Sequence, residues 1–111
     1  MYKYKAKVLD VYDGDTVTLL IDIGFSIHLK ERCRLIGINT PEIRTRDLEE
    51  KKNGYIARDY LRNLILNKDV IIETHKQGKY GRYLVEIFYN DESINQKMLD
   101  KGYAEPYLVN L

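Results

Sequence analysis

Tryptophan is absent from this chain, cysteine occurs once, and no apolar run is long enough to cross a bilayer. The single Cys33 cannot form an internal disulfide, so the fold does not depend on an oxidising compartment, and it reads as a small buried hydrophobe. Met1 is followed by lysines and tyrosines, not by the apolar core of a signal peptide. The chain as given is therefore expected to be cytoplasmic, and secreted only if a leader was removed upstream. A formal net charge of +1 excludes a polybasic protein that holds nucleic acid by bulk attraction. Any anion site must come from a local cluster of Lys and Arg. His28 and His75 fall on different strand-like segments with no cysteine nearby, so a zinc site is not expected.

Tyrosine fills some of the gap, with ten copies against two phenylalanines. Its ring packs while its hydroxyl stays wet, which suits a single small domain with a thin core. The same ring suits stacking on nucleic-acid bases. Hydrophobic content of 44% beside 32% charged residues fits a folded chain with one core, and 111 residues leave room for little more.

Residues 3 to 12 alternate, turn at Asp13-Gly14, and give way to a second β-branched run over 15 to 22, which predicts a hairpin. A third strand is expected over 26 to 37, with Ile27, Leu29, Cys33 and Leu35 on one face and Glu31 marking a bulge or bend. The segment RTRDLEEKK, 44 to 52, has no apolar period and reads as a solvated loop. From Asn53 a helical stripe of Ala57, Leu61, Leu64 and Ile65 runs to about Asn67. Two more strands, 69 to 75 and 82 to 89, enclose the basic loop KQGKYG. Ser93 with Gln96 predicts a capped short helix that stops at Gly102. Residues 103 to 107 could add a closing strand. The order predicts a mainly β chain with helices: a five-stranded OB-fold barrel, one helix between its third and fourth strands and a short helix after the fifth.

Three polar stretches stand out. Asp13-Gly14-Asp15-Thr16 is a plain turn or a turn that presents a carboxylate to a metal, and Asp15 is poor strand material. In Asn39-Thr40-Pro41-Glu42, Pro41 keeps Thr40 extended, presenting its carbonyl and aiming Glu42, although an incidental strand exit reads equally well. Lys79-Tyr80-Gly81-Arg82 makes a locally positive loop or simply a solvated one.

Taken together, Asp13 to Val17, Arg34 to Glu42, Lys79 to Arg82 and the later Gly102-Tyr103-Ala104 resemble the staphylococcal nuclease (thermonuclease) family in order and spacing. The resemblance runs from about residue 5 to residue 105. It implies an OB-fold enzyme that hydrolyses phosphodiester bonds of DNA or RNA with calcium, acting as an endonuclease. It further implies that Asp15 and Asn39 offer side-chain oxygens, and Thr40 its carbonyl, to the metal. Arg34 and Arg82 would hold the scissile phosphate, and Glu42 would activate or position the attacking water. Lys79 and Tyr80 would lie along the nucleotide. The chemistry agrees: a hard cation suits oxygen donors, and guanidinium forks match phosphate oxygens. The alternative is a barrel of the same kind that binds nucleic acid or a protein without cutting.

Two departures bear on that expectation. The best-known members carry an aspartate where this chain has Asn39, so the calcium site has one charge fewer and is expected to tighten when a substrate phosphate is present. Larger members continue into another C-terminal helix, whereas this sequence ends at Leu111. Only Tyr107 stands in for the tyrosines presented there, and the chain is expected to be a monomer or a weak homodimer without membrane contact.

Overall fold

A computed structural model describes residues 2–75 and 82–107. β-Branched and aromatic residues in alternation extend Tyr2–Asp13 (β1), which folds back on Thr16–Asp22 (β2), and β2 pairs antiparallel with His28–Leu35 (β3). Ile38–Asn39 (β4) follows, then an 18-residue helix, Leu48–Ile65 (α1). Asp69–Thr74 (β5) pairs antiparallel with both β1 and Tyr83–Tyr89 (β6). Glu92–Ser93 (β7), the short helix Ile94–Asp100 (α2) and Glu105–Pro106 (β8) complete the order.

A parallel pairing of Cys33, Arg34 and Leu35 with Tyr83, Leu84 and Val85 closes β1, β2, β3, β6 and β5 into a five-stranded barrel. Closure removes the sheet edge there and seals the interior. Val8, Val11, Val17, Leu19, Leu35, Ile72, Val85 and Ile87 are buried within it, and Ala57, Leu61 and Ile65 of α1 pack onto them. This is the OB arrangement anticipated above, with α1 between the third and fourth barrel strands and α2 after the fifth.

The details differ from the expectation in instructive ways. β3 is shorter than 26 to 37 and keeps an unbroken register with β2, so Glu31 marks no bulge. Irregularities fall instead in β1, between Val8 and Asp10 and between Val11 and Asp13. Beside the second one, the Arg62 guanidinium donates to the Val11 carbonyl at 3.1 and 2.9 Å and so ties α1 to the barrel. Only residues 33–35 of β3 meet β6, so its first half projects from the barrel and Leu29, with Ile27 just before it, stays exposed. The helix begins five residues before Asn53. Asp47 caps it by accepting from the N–H groups of Glu49 (3.0 Å) and Glu50 (3.2 Å), and both glutamates favour the positive end of the helix.

Candidate active site

Asp15 is the centre of a small polar cluster, and the chain has to fold in a specific way to bury it. It sits in the β1–β2 turn itself, not at the head of a strand. Its N–H donates to the Asp13 carboxylate at 3.1 Å, and its carbonyl accepts from Leu35 N–H at 2.8 Å. The turn is thus stitched to the end of β3. The Asp15 side chain, buried, accepts from the Thr16 hydroxyl (3.2 Å) at Oδ1 and from the Thr40 N–H (3.0 Å) at Oδ2.

Gly14 is required by space. A Cβ there would stand 2.7 Å from Thr40 Cγ2 and 2.9 Å from Ala57 Cβ, so the turn, the Thr40 loop and α1 meet where no side chain fits. Gly54 permits a similar approach about a turn of helix before Ala57, where a Cβ would lie 2.8 Å from the Pro41 carbonyl oxygen and 2.9 Å from that of Glu42. Neither glycine is distinguishable in the sequence from an ordinary turn or helix residue.

Arg34, on β3, bridges the cluster. One amino group lies 3.4 Å from Asp15 Oδ2, and the other donates to the Ile38 carbonyl and to Asn39 Oδ1, each at 3.2 Å. Its guanidinium also lies over the Tyr107 ring, 5.3 Å from the centroid. Asn39 is exposed but its backbone is held, because β4 pairs with β8 through Ile38–Pro106 and Asn39–Glu105. Tyr107 N–H donates to the Gly37 carbonyl at 2.9 Å, fixing the ring beside the arginine.

Burial, and then the neighbouring Asp15 carboxylate, push the Asp13 carboxyl up to about 7. Two carboxylates in one turn thus raise the cost of holding both charges without a cation beyond Arg34.

Glu42 is exposed and lies in the wall of an open cleft of about 420 Å³ with Asn39, Thr40 and Pro41. The opposite wall comes from the start of α1 and the segment after α2, whose Tyr103 lines the cleft and stacks on Tyr60 of α1 with ring centroids 4.2 Å apart. Asp47, Glu49, Glu50 and Glu105 also line the cleft, so a polyanion would be repelled from it. Arg82 precedes β6, two residues before Leu84, the register partner of Arg34. The proposed nucleotide contacts Lys79 and Tyr80 lie outside the described residues.

The donors can be weighed against a calcium ion. Asp15, Asn39 and Thr40 offer only oxygen, the set a hard cation takes. The Thr40 hydroxyl is buried with no hydrogen-bond partner among the described residues, an orphaned oxygen beside a buried carboxylate. These residues fit such an ion, although Asp15 gives the only formal negative charge among them.

A closed five-stranded barrel with two helices among the described residues, carrying an oxygen-rich cluster braced by an arginine at its strand ends, defines an OB-fold protein. The chain belongs to the family described as staphylococcal nuclease homologue, which matches residues 32–110. Similar proteins include an uncharacterized protein of Methanocaldococcus jannaschii, 34% identical over 131 residues that cover 96% of this chain and 61% of the relative. The thermonuclease of Staphylococcus hyicus is 32% identical over 100 residues, covering 88% of this chain and 56% of the relative. An uncharacterized endonuclease of Haemophilus influenzae is 29% identical over 105 residues, covering 95% of this chain and 53% of the relative. The chain spans roughly half to three-fifths of the length of these relatives.

Proposed function

We propose that this chain is a calcium-dependent nuclease that hydrolyses phosphodiester bonds of DNA or RNA, in endonuclease fashion. The observation that carries the reading is the convergence of Asp15, Arg34, Asn39 and Thr40, from three separate segments, with Glu42 two residues beyond. The nuclease names of the two relatives just cited support it.

In this reading Asp15, Asn39 and Thr40 hold the calcium ion, which when bound supplies Lewis acidity to the phosphoryl oxygens. Arg34 and Arg82 bind those oxygens and strengthen their grip as charge builds on them. Lys79, Tyr80 and Tyr107 lie along the nucleotide. Glu42 holds the attacking water, by orienting it or by taking its proton. The water oxygen bonds to phosphorus, the ester bond to the leaving oxygen breaks, and that oxygen takes a proton from solvent. Arginine does not supply this proton, since it stays protonated in proteins. The acidic cleft beyond Glu42 suits water better than nucleic acid, which leaves the arginine and Tyr107 side for the substrate.

Incubating plasmid, single-stranded DNA and RNA with the protein in calcium, in magnesium and in chelator tests the reading. Calcium-dependent cutting is expected. Nucleic acid that is retarded but intact would make the barrel a binding module instead.

A further inference from the structure

We propose that Glu73, His75 and Glu86 form a second cation site, for a divalent transition metal of the zinc type, on the outer face of the β5–β6 pair. Glu73 and Glu86 are direct cross-strand partners. Their neighbours Ile72 and Ile87 point into the core, so alternation turns both carboxylates outward together. Like charges in facing positions repel unless something neutralises them. His75 continues the ladder, its N–H donating to the Leu84 carbonyl at 2.9 Å, and so shares the face of Glu73, diagonal to Glu86. One ligand atom from each of the three lies within 4.8 Å of the others.

Three further observations point to an occupant. His75 Nε2 is buried and has no hydrogen-bond partner among the described residues. No described lysine or arginine forms an ion pair with either glutamate, although the exposed Lys3 faces Glu73 from β1. The Ser93 hydroxyl donates to Glu86 Oε2 at 2.6 Å, and the Ser93 oxygen in turn caps α2 by accepting from Gln96 N–H at 3.2 Å. That fixes the glutamate from behind, as outer partners fix metal ligands.

An imidazole nitrogen with two carboxylates selects zinc-type ions over calcium or magnesium, which favour all-oxygen sets. Bonds of about 2.0–2.2 Å would draw the three side chains inward by rotation, leaving a fourth position for water. Residue pattern alone offers no hint of this site, because Glu86 reaches it only through strand register. It does not rest on the nuclease reading, since it lies on other strands than Asp15, Asn39 and Thr40.

The test is calorimetric titration of the metal-free full chain with zinc chloride, and separately with calcium chloride, in an Asp15→Asn background that disables the other donor set. One zinc equivalent is expected, with a raised Tm, and at least a ten-fold weaker affinity after His75→Gln or Glu86→Gln. Zinc binding that both substitutions leave unchanged, or no binding at all, overturns the proposal. Should the variants misfold, nitrogen NMR of the unsubstituted protein decides: zinc must shift the ring nitrogens of His75 and spare His28. Equal shifts at both, or none, reject the site.

Discussion

Gly54 and Glu42 meet backbone to backbone, so closely that a methyl group on Gly54 would stand 2.9 Å from the Glu42 carbonyl oxygen. α1 thereby supports the strand exit that carries the proposed water-holding carboxylate. Glycine inside a helix is about 0.5–1 kcal/mol worse than alanine. Overpacking against backbone costs roughly 1–3 kcal/mol, so the second effect wins. Gly54→Ala is predicted to lower the cleavage rate by at least ten-fold with little change in calcium affinity, because Asp15 is anchored elsewhere. Turnover kinetics beside calcium titration would check this, and unchanged kinetics would sever the link between α1 and Glu42.

Arg34 contacts Asp15 and Asn39, the same side chains assigned to the metal. A guanidinium and a calcium ion therefore compete for them, and a unit charge pair at 4 Å is worth about 4 kcal/mol at an effective dielectric of 20, before solvent screening. Removing the arginine charge by Arg34→Met is predicted to tighten calcium binding to the free protein by about ten-fold, from a residual of that energy after screening, while cleavage collapses. Asn39→Asp is predicted to tighten it too, by a smaller factor, since the new carboxylate also strengthens the hold of Arg34. Adding a non-cleavable nucleotide should tighten calcium in the unsubstituted chain by supplying the missing negative charge. Calorimetry on the three proteins reads all of this, and identical affinities throughout would place Asn39 outside the metal's reach.

Asn95 is the buried clasp between α2 and the barrel. Its amide donates to the carbonyls of Ile36 (2.9 Å) and Val85 (3.1 Å), and its oxygen accepts from Ile87 N–H at 3.1 Å. Ile36 N–H also serves the Val85 carbonyl, but Asn95→Ala would strand the Ile36 carbonyl and the Ile87 N–H. With each of the two orphans costing about 1–3 kcal/mol, the loss should be about 2–6 kcal/mol. Urea unfolding measures it, and a loss below half of that range would mean water takes over the clasp.

Burial, reinforced by the charge of Glu31, pushes the Cys33 thiol up from 9.0 to about 12. A group whose folded value lies above its unfolded one stabilises fully below the lower value, and that stability is lost as pH rises between 9.0 and about 12. The folded protein should resist a thiol reagent at pH 8 and react at once in urea. Its urea midpoint should also fall between pH 8 and 11 more steeply than that of Cys33→Ala. Parallel pH profiles for the two would remove Cys33 from the account.

Much of this architecture was legible because it is written locally. The apolar alternation of β1 and β2, the stripe Ala57, Leu61, Ile65 and the Ser93 cap each need only neighbouring residues to be recognised. The start of α1 was hidden, since residues 44–52 show no apolar face, although Asp47 followed by Glu49 and Glu50 carries the capping signal that periodicity misses. The exposure of Ile27 and Leu29 follows from how little of β3 meets β6, a fact of closure and not of pattern. Within the candidate site, Asp15, Arg34, Asn39 and Glu42 stood out through the order and spacing of their motifs, since each stretch alone also reads as a plain turn or strand exit. Gly14 and Gly54 did not, because the close approaches they permit exist only after three segments have packed.

The most direct test follows Glu42 itself. Single-turnover cleavage of a labelled single-stranded DNA in saturating calcium should be at least 100-fold slower for Glu42→Gln, the lower end of what a positioned acid or base contributes. Calcium affinity and DNA binding should hold within a factor of about three, since Glu42 is assigned to neither. Equal cleavage rates for the two proteins would contradict the account at its centre.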